Sequence, residues 1–403
     1  MNFVNVSTYY PRECGLASFS KDLRAGLASA GHKVRIAAIS DRHYNYPAEV
    51  YCDIRQEVKD DYLTAARRIN GSPHIQMVII QHEYGIFGGR DGEYAVDFAA
   101  HLEKPFLLVT HTVLPHPSAS QRVVLQILAK RAAAVVSMTE RSARLLRTVF
   151  GVPAEKIVII PHGVPDFERK DRESLKMLYG YTGRQVITTF GLIGPSKGLE
   201  IGIRAVKKLV GRHPHLLYII AGKTHPVLLE REGERYRESL AKMCADLELD
   251  KHVRFVNHFL DVGELGDYLY LSDAYLSPYP NREQAVSGTL AYAVGCGRAI
   301  VSTPYEYALD VLKKRRLGLV ADEASPEALS RLLDRVLSQP DLKISLEKRA
   351  SSFGESIKWP GIAARYADLA REVLKPQAPV TIIQGKALGG NLMAAMKKKG
   401  SWR

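Results

Sequence analysis

The chain has 403 residues, 46% hydrophobic and 25% charged, fractions that exclude a disordered, collagenous or disulfide-scaffold protein. At about 100–200 residues per domain, this length predicts two or three domains, each able to bury a sizeable core. The net charge of +13 is unevenly spread: residues 1–166 and 167–355 carry +3 each, and 356–403 carry +7. The bodies are nearly balanced, so nucleic acid is not an expected partner; the basic end leaves contact with an anionic membrane as a candidate.

The first half reads as short apolar or β-branched runs, each followed by a segment of helical period. Strands are expected at 2–6, 33–39, 77–81, 106–110, 134–138 and 157–160. The second half repeats the pattern at 185–190, 216–221, 253–256, 274–277, 299–302 and 318–320. Such alternation predicts an α/β protein of two doubly wound, Rossmann-like domains facing a cleft. The expected organisation is 1–166, 167–355, a final helix within 356–375 and a basic tail over 376–403. Ligands of open parallel sheets bind beyond the carboxyl ends of the strands, so the loops after strands carry the candidates.

The loop after the first strand holds Arg12, Glu13 and Gly15 before a helix expected near Ala17. Glycine there admits a ligand to the main chain, and free amides at a helix start favour a phosphate, although an ordinary strand-to-helix turn explains the segment as well. His82 and His111 stand just past first-half strands, with Tyr84 and Phe87 in the loop after His82. A structural role fits a lone histidine at a strand end equally well.

Lys197 lies in a glycine-bounded loop between Gly191 and Gly198, where a fixed ammonium would reinforce the positive end of the following helix toward a diphosphate. Lys223 sits in Gly222-Lys223-Thr224, but Leu217 occupies the position where a P-loop needs its first glycine, which excludes a P-loop NTPase. The richest stretch places Arg282, Glu283 and Gln284 before Ser287-Gly288-Thr289, which opens an Ala-rich helix. Side chains there can read hydroxyls while backbone amides hold phosphate. No Asp-x-Asp triplet is present, so no metal is expected.

Four cysteines, Cys14, Cys52, Cys244 and Cys296, are dispersed without a C-x-x-C pair, and no leader-like segment opens the chain. Nor does any apolar run approach the roughly 18–20 residues needed to span a bilayer. A cytoplasmic protein with reduced thiols is expected, in peripheral contact with the inner membrane face if the basic end engages it.

Two equal α/β halves, the Gly15 loop, a histidine after the fourth expected strand, Gly191 with Lys197-Gly198, and Gly295-Cys296-Gly297-Arg298-Ala299-Ile300-Val301 together resemble the GT-B-fold retaining glycosyltransferases of family 4. The resemblance extends over about 1–375. It implies a nucleotide-sugar donor on the second domain, a carbohydrate or glycolipid acceptor on the first, and a final helix that crosses back onto the first. Lys197 and the amides of Gly15, Ser287, Gly288 and Thr289 would hold the diphosphate. His111, Glu283 and Gln284 would contact the transferred hexose; GDP-mannose and UDP-glucose are the first donors to test, with no cofactor besides the donor substrate. Arg12, Glu13, Tyr84 and Phe87 are candidate acceptor contacts.

Two positions depart from the family pattern. Leu192 replaces an arginine, so a second cation is needed, with Arg282 and Lys223 as candidates. Gln284 and Tyr292 occupy positions usually held by two glutamates, leaving no carboxylate at 292 for a ribose and placing Glu283 next to the sugar position. The alternatives are a sugar phosphorylase or nucleotide-sugar epimerase of the same fold, or a basic RNA- or membrane-binding protein.

Overall fold

The computed structural model describes residues 1–375; the expected basic tail lies outside the described residues. Seven strands form the first sheet: β1 (Asn2–Ser7), β2 (Lys33–Ser40), β3 (Val50–Arg55), β4 (Met77–His82), β5 (Phe106–Thr110), β6 (Ala134–Ser137) and β7 (Ile157–Ile159). Six form the second: β8 (Gln185–Phe190), β9 (Leu216–Ala221), β10 (Val253–Val256), β11 (Ala274–Ser277), β12 (Ile300–Ser302) and β13 (Leu319–Val320). Their orders are β3-β2-β1-β4-β5-β6-β7 and β10-β9-β8-β11-β12-β13. Every pairing is parallel. The expected α/β architecture of two doubly wound halves therefore holds.

Central strands carry continuous apolar runs because helices cover both faces: β4 and β9 are buried at every residue, with Gln81 and His82 the polar end of β4. β3 is the strand absent from the expected set. It lies at the sheet edge, and of its six residues only Ile54 is buried. With β3 counted, the histidine at 111 follows the fifth strand of the fold rather than the fourth.

The first helix runs over Gly15–Ser29, two residues earlier than expected, because Cys14 caps it with its sulfur accepting from the Ala17 amide at 3.4 Å. The last helix, Trp359–Leu374, returns to pack on it. Gly26 makes that approach possible: a Cβ there would stand 2.8 Å from the Ala363 Cβ and 3.2 Å from the Trp359 carbonyl oxygen. Trp359, Ile362, Ala363, Tyr366 and Ala370 are all buried in this contact and in the core that it extends.

Each sheet reverses direction of strand addition, between β1 and β4 in the first and between β8 and β11 in the second. The loops leaving those strands meet across a cleft. Ion pairs span it at two places, Lys223 with Glu13 at one, and Lys314 with Glu140 and Arg141 with Glu306 at the other. Between them, Asp22 of the first helix accepts from Tyr292 Oη at 3.3 Å and from Trp359 Nε1 at 3.1 Å.

Candidate active site

A cavity of about 360 Å³ opens where the loops meet. Of the residues expected at a donor site, it brings together Gly15, Lys197, Lys223, Gln284, Ser287, Gly288 and Thr289. Two helix starts point at it, Gly15–Ser29 from the first half and Gly288–Gly295 from the second. Ser287 caps the latter by accepting from the Leu290 amide at 3.3 Å, leaving the earlier amides of the turn available to an anion.

Lys197 ends a short helical turn, Pro195–Lys197. Its Nζ donates to Tyr279 Oη at 2.8 Å, and that hydroxyl lies 2.6 Å from Thr289 Oγ1, which is 3.2 Å from Ser287 Oγ. Burial opposes a phenolate at Tyr279, but the Lys197 ammonium and the hydroxyls of Thr289 and Ser287 outweigh it and hold the phenol below its ordinary value of 10.0. The ammonium is thus anchored by a buried hydroxyl chain, and no carboxylate among the described residues pairs with it.

The loop carrying Lys197 is fixed from behind. Gly222 adopts φ +138°, and a Cβ there would fall 2.0 Å from the Gly191 carbonyl oxygen. The two glycine loops after β8 and β9 therefore lie in direct backbone contact, with the Gly191 amide donating to Ala221 O at 3.0 Å.

His111 does not line the cavity. It is buried beside it, its Nε2 2.8 Å from Gln81 Oε1, while Gln81 Nε2 donates to Asn5 Oδ1 at 2.9 Å. In the assigned orientation of that amide, Nε2 carries the proton. Burial, followed by the neighbouring His162 and His82, pushes His111 down to about 3, so the ring is neutral. His82 is fully buried against Tyr84 and Phe87, burial takes it to about 4, and neither ring nitrogen has a partner among the described residues.

Several expected residues lie apart from the cavity or are engaged elsewhere. Arg282 is exposed and does not line the cavity. Lys223 lines the cavity but is paired with Glu13 across the cleft. Glu283 is half-buried in the entry loop, its amide donating to Asn281 Oδ1 at 3.0 Å, and it does not line the cavity either. Tyr84 and Phe87 are 8% and 2% exposed and belong to the first half's core, which removes them as acceptor contacts. Arg12 is held by the Ile39 carbonyl, Gln56 and Asp41.

Sequence reasoning missed His162, just past β7, which lines the cavity beside Gly288. It also missed the apolar wall of Phe190, Phe259, Leu260, Leu265 and Val286. Tyr292 joins that wall, its hydroxyl turned to Asp22. Burial pushes the Asp22 carboxyl up to about 6, against the hydrogen bonds from Tyr292 and Trp359.

Comparison with known proteins places this geometry. Residues 14–166 match glycosyltransferase family 4 and residues 173–353 match the glycosyl transferases group 1. Over 250 residues the chain is 23% identical to a D-inositol 3-phosphate glycosyltransferase of Rhodococcus opacus, covering 61% of this chain and 54% of that protein. A GDP-mannose-dependent alpha-(1-6)-phosphatidylinositol monomannoside mannosyltransferase of Mycolicibacterium smegmatis is 24% identical over 267 residues, 62% of this chain and 64% of that protein. The chain thus spans about half to two thirds of the length of these curated relatives. In fold, it superposes on Anabaena HepE in complex with UDP with a TM-score of 0.75 at 14% identity, covering 92% of this chain and 100% of that one. It likewise superposes on WaaG, a glycosyltransferase involved in lipopolysaccharide biosynthesis, with a TM-score of 0.66 at 17% identity, covering 92% and 99%. With both halves matched in order and the two sheets opposed as in those structures, the chain belongs to the group 1, family 4 glycosyltransferases of GT-B fold.

Proposed function

We propose that this chain is a retaining, metal-independent glycosyltransferase that moves a hexose from a nucleoside-diphosphate sugar to a carbohydrate or glycolipid acceptor. The observation that carries the reading is the Lys197 ammonium, anchored through Tyr279 and Thr289, on the same cavity as the helix start at Gly288 and Thr289. A fixed cation and oriented amides are what a departing diphosphate needs as charge develops on it. The apolar wall of Phe190, Phe259 and Leu260 offers a flat-sided surface for a nucleobase. Support for a nucleotide donor comes also from the relative named as GDP-mannose-dependent and the fold neighbour that holds UDP.

In this reading the hexose lies toward His111 and Gln284, and the acceptor hydroxyl approaches from the first half. Attack occurs on the face the diphosphate leaves, and the departing phosphate oxygen takes the acceptor proton. Lys197 and the amides stabilise that oxygen while it does so. Work at the cytoplasmic membrane face is consistent with a glycolipid acceptor, and no helix among the described residues is long and apolar enough to cross a membrane. Nucleotide release from UDP-glucose and GDP-mannose with an acceptor panel, run with and without EDTA, tests the reading. Turnover unaffected by EDTA, with the product's anomeric configuration retained by NMR, is the expected result. Phosphate-dependent cleavage of a disaccharide, or donor isomerisation without acceptor, would replace it with the phosphorylase or epimerase alternative.

A further inference from the structure

A diphosphate carries two charges, and Lys197 is the one ammonium on the cavity without an acidic partner among the described residues, so the proposed site is one cation short. Neither sequence candidate supplies it: Arg282 is off the cavity and Lys223 is paired with Glu13. His162 is 6% exposed and lines the cavity. Its Nδ1 lies 2.7 Å from the Gly163 carbonyl oxygen, an acceptor only, so Nδ1 carries a proton in either charge state of the ring. The other nitrogen, Nε2, has no partner among the described residues and stands 3.3 Å from where a Cβ on Gly288 would be. It therefore faces the first residue of the helix start at which the diphosphate is placed.

We infer that His162 is the second cation of this site: binding of a diphosphate protonates its Nε2, which then donates to a phosphate oxygen beside the Gly288 amide. The inference rests on the nucleotide-sugar reading above. Without ligand the ring is neutral, since burial takes it down to about 4 against the opposing bond to Gly163. A neutral ring presents a lone pair to the cavity, which would repel a phosphate oxygen; the imidazolium reverses that sign. The charged and titratable groups around it are Lys197, His225 and Lys223 on the cavity, Glu13 paired with Lys223, the Cys14 thiol, His111 beyond Phe19, Tyr292 at 6.1 Å between centroids, and Asp22 behind Tyr292 and Trp359. The carboxyl groups among these are Asp22 and Glu13, the latter paired with Lys223. Protonating a group that titrates near 4 at neutral pH lowers affinity by a factor of about a thousand, which the phosphate charges must exceed.

Titration calorimetry of the full chain with intact UDP-glucose and GDP-mannose tests this, because their diphosphate diesters keep constant charge around neutral pH. Runs in buffers of different ionisation enthalpy give the protons taken up. The expected result is about one proton bound per complex and a Kd that weakens by up to about tenfold per pH unit toward alkaline pH. In His162→Gln the uptake disappears and the affinity becomes flat with pH, with a loss of about 10–100-fold on the acid side. His162→Asn provides the same readout should the Gln variant not fold, and the proton count of the unmodified chain stands independently of both. Donor binding with no proton uptake would overturn the role of His162 and leave the donor reading in place. Failure of both nucleotide sugars to bind at any pH would overturn the donor reading and this proposal with it.

Discussion

Replacing Lys197 with alanine removes the one ammonium on the cavity that has no acidic partner among the described residues. The anchor should survive the change, because Tyr279 Oη keeps its 2.6 Å contact with Thr289 and remains buried. The loss is therefore electrostatic. An ammonium about 4 Å from a phosphate oxygen, at the effective dielectric of about 20 that suits protein sites, is worth about 4 kcal/mol per charge. Charge-assisted hydrogen bonds measured by mutation fall at about 1.5–3 kcal/mol. A loss of about 2–4 kcal/mol corresponds to a fall of about 30–1000-fold in kcat/KM. Because the leaving diphosphate gains charge in the transition state, kcat should fall further than donor affinity. Initial rates of nucleotide release, with calorimetry for donor Kd, separate the two. A folded Lys197→Ala enzyme with unchanged kcat/KM would refute the assignment of this lysine to the diphosphate.

Asp22→Asn tests the cleft's buried carboxyl. Its folded value of about 6 lies above the ordinary 3.8, so the native state holds the extra proton and stability falls as pH rises between those values. Asparagine removes that penalty, and urea unfolding should show up to about 3 kcal/mol more stability at neutral pH and a flatter profile below it; a variant that is weaker at neutral pH and keeps the slope contradicts this. Gly222→Ala forces a side chain into φ +138° and against the Gly191 carbonyl, so a loss of about 3 kcal/mol or more is expected in the same assay, and one under about 1 kcal/mol would show that the loops yield. Glu13→Gln frees Lys223, and since both side chains are about a third exposed, stability should change by less than about 1 kcal/mol. Donor Kd should tighten by about three- to tenfold; weaker binding would mean that the pair holds the cleft in its binding form.

The strands that sequence reading found are those with a continuous run of apolar or β-branched residues, whether fully buried like β4 and β9 or partly so like β7. β4 and β9 are apolar at consecutive positions because both faces are covered. β3 escaped because an edge strand with Asp53 and Arg55 exposed around Ile54 has no continuous apolar run. The loops that line the cavity were legible because glycine, lysine and Ser-Gly-Thr occur next to helix starts, where their chemistry is local. Tyr84 and Phe87 misled because the loop after β4 turns back as a short helix, Tyr84–Ile86, and buries both rings near His82. His162 and the Glu13–Lys223 pair were illegible for another reason: each depends on residues distant in sequence meeting across the cleft. The only local signal for His162 is a polar residue just past β7, before the Gly163-Val164-Pro165 turn.

In the proposed reaction the cavity between the sheets holds a nucleotide sugar whose hexose is transferred. Incubating the full chain with a panel of nucleoside-diphosphate sugars, with UDP-glucose and GDP-mannose first, and measuring released nucleotide in the presence of carbohydrate and glycolipid acceptors tests it most directly. Acceptor-dependent release of UDP or GDP, abolished or strongly reduced in Lys197→Ala, is the result expected. Absence of both binding and turnover for every donor in a folded preparation would contradict it.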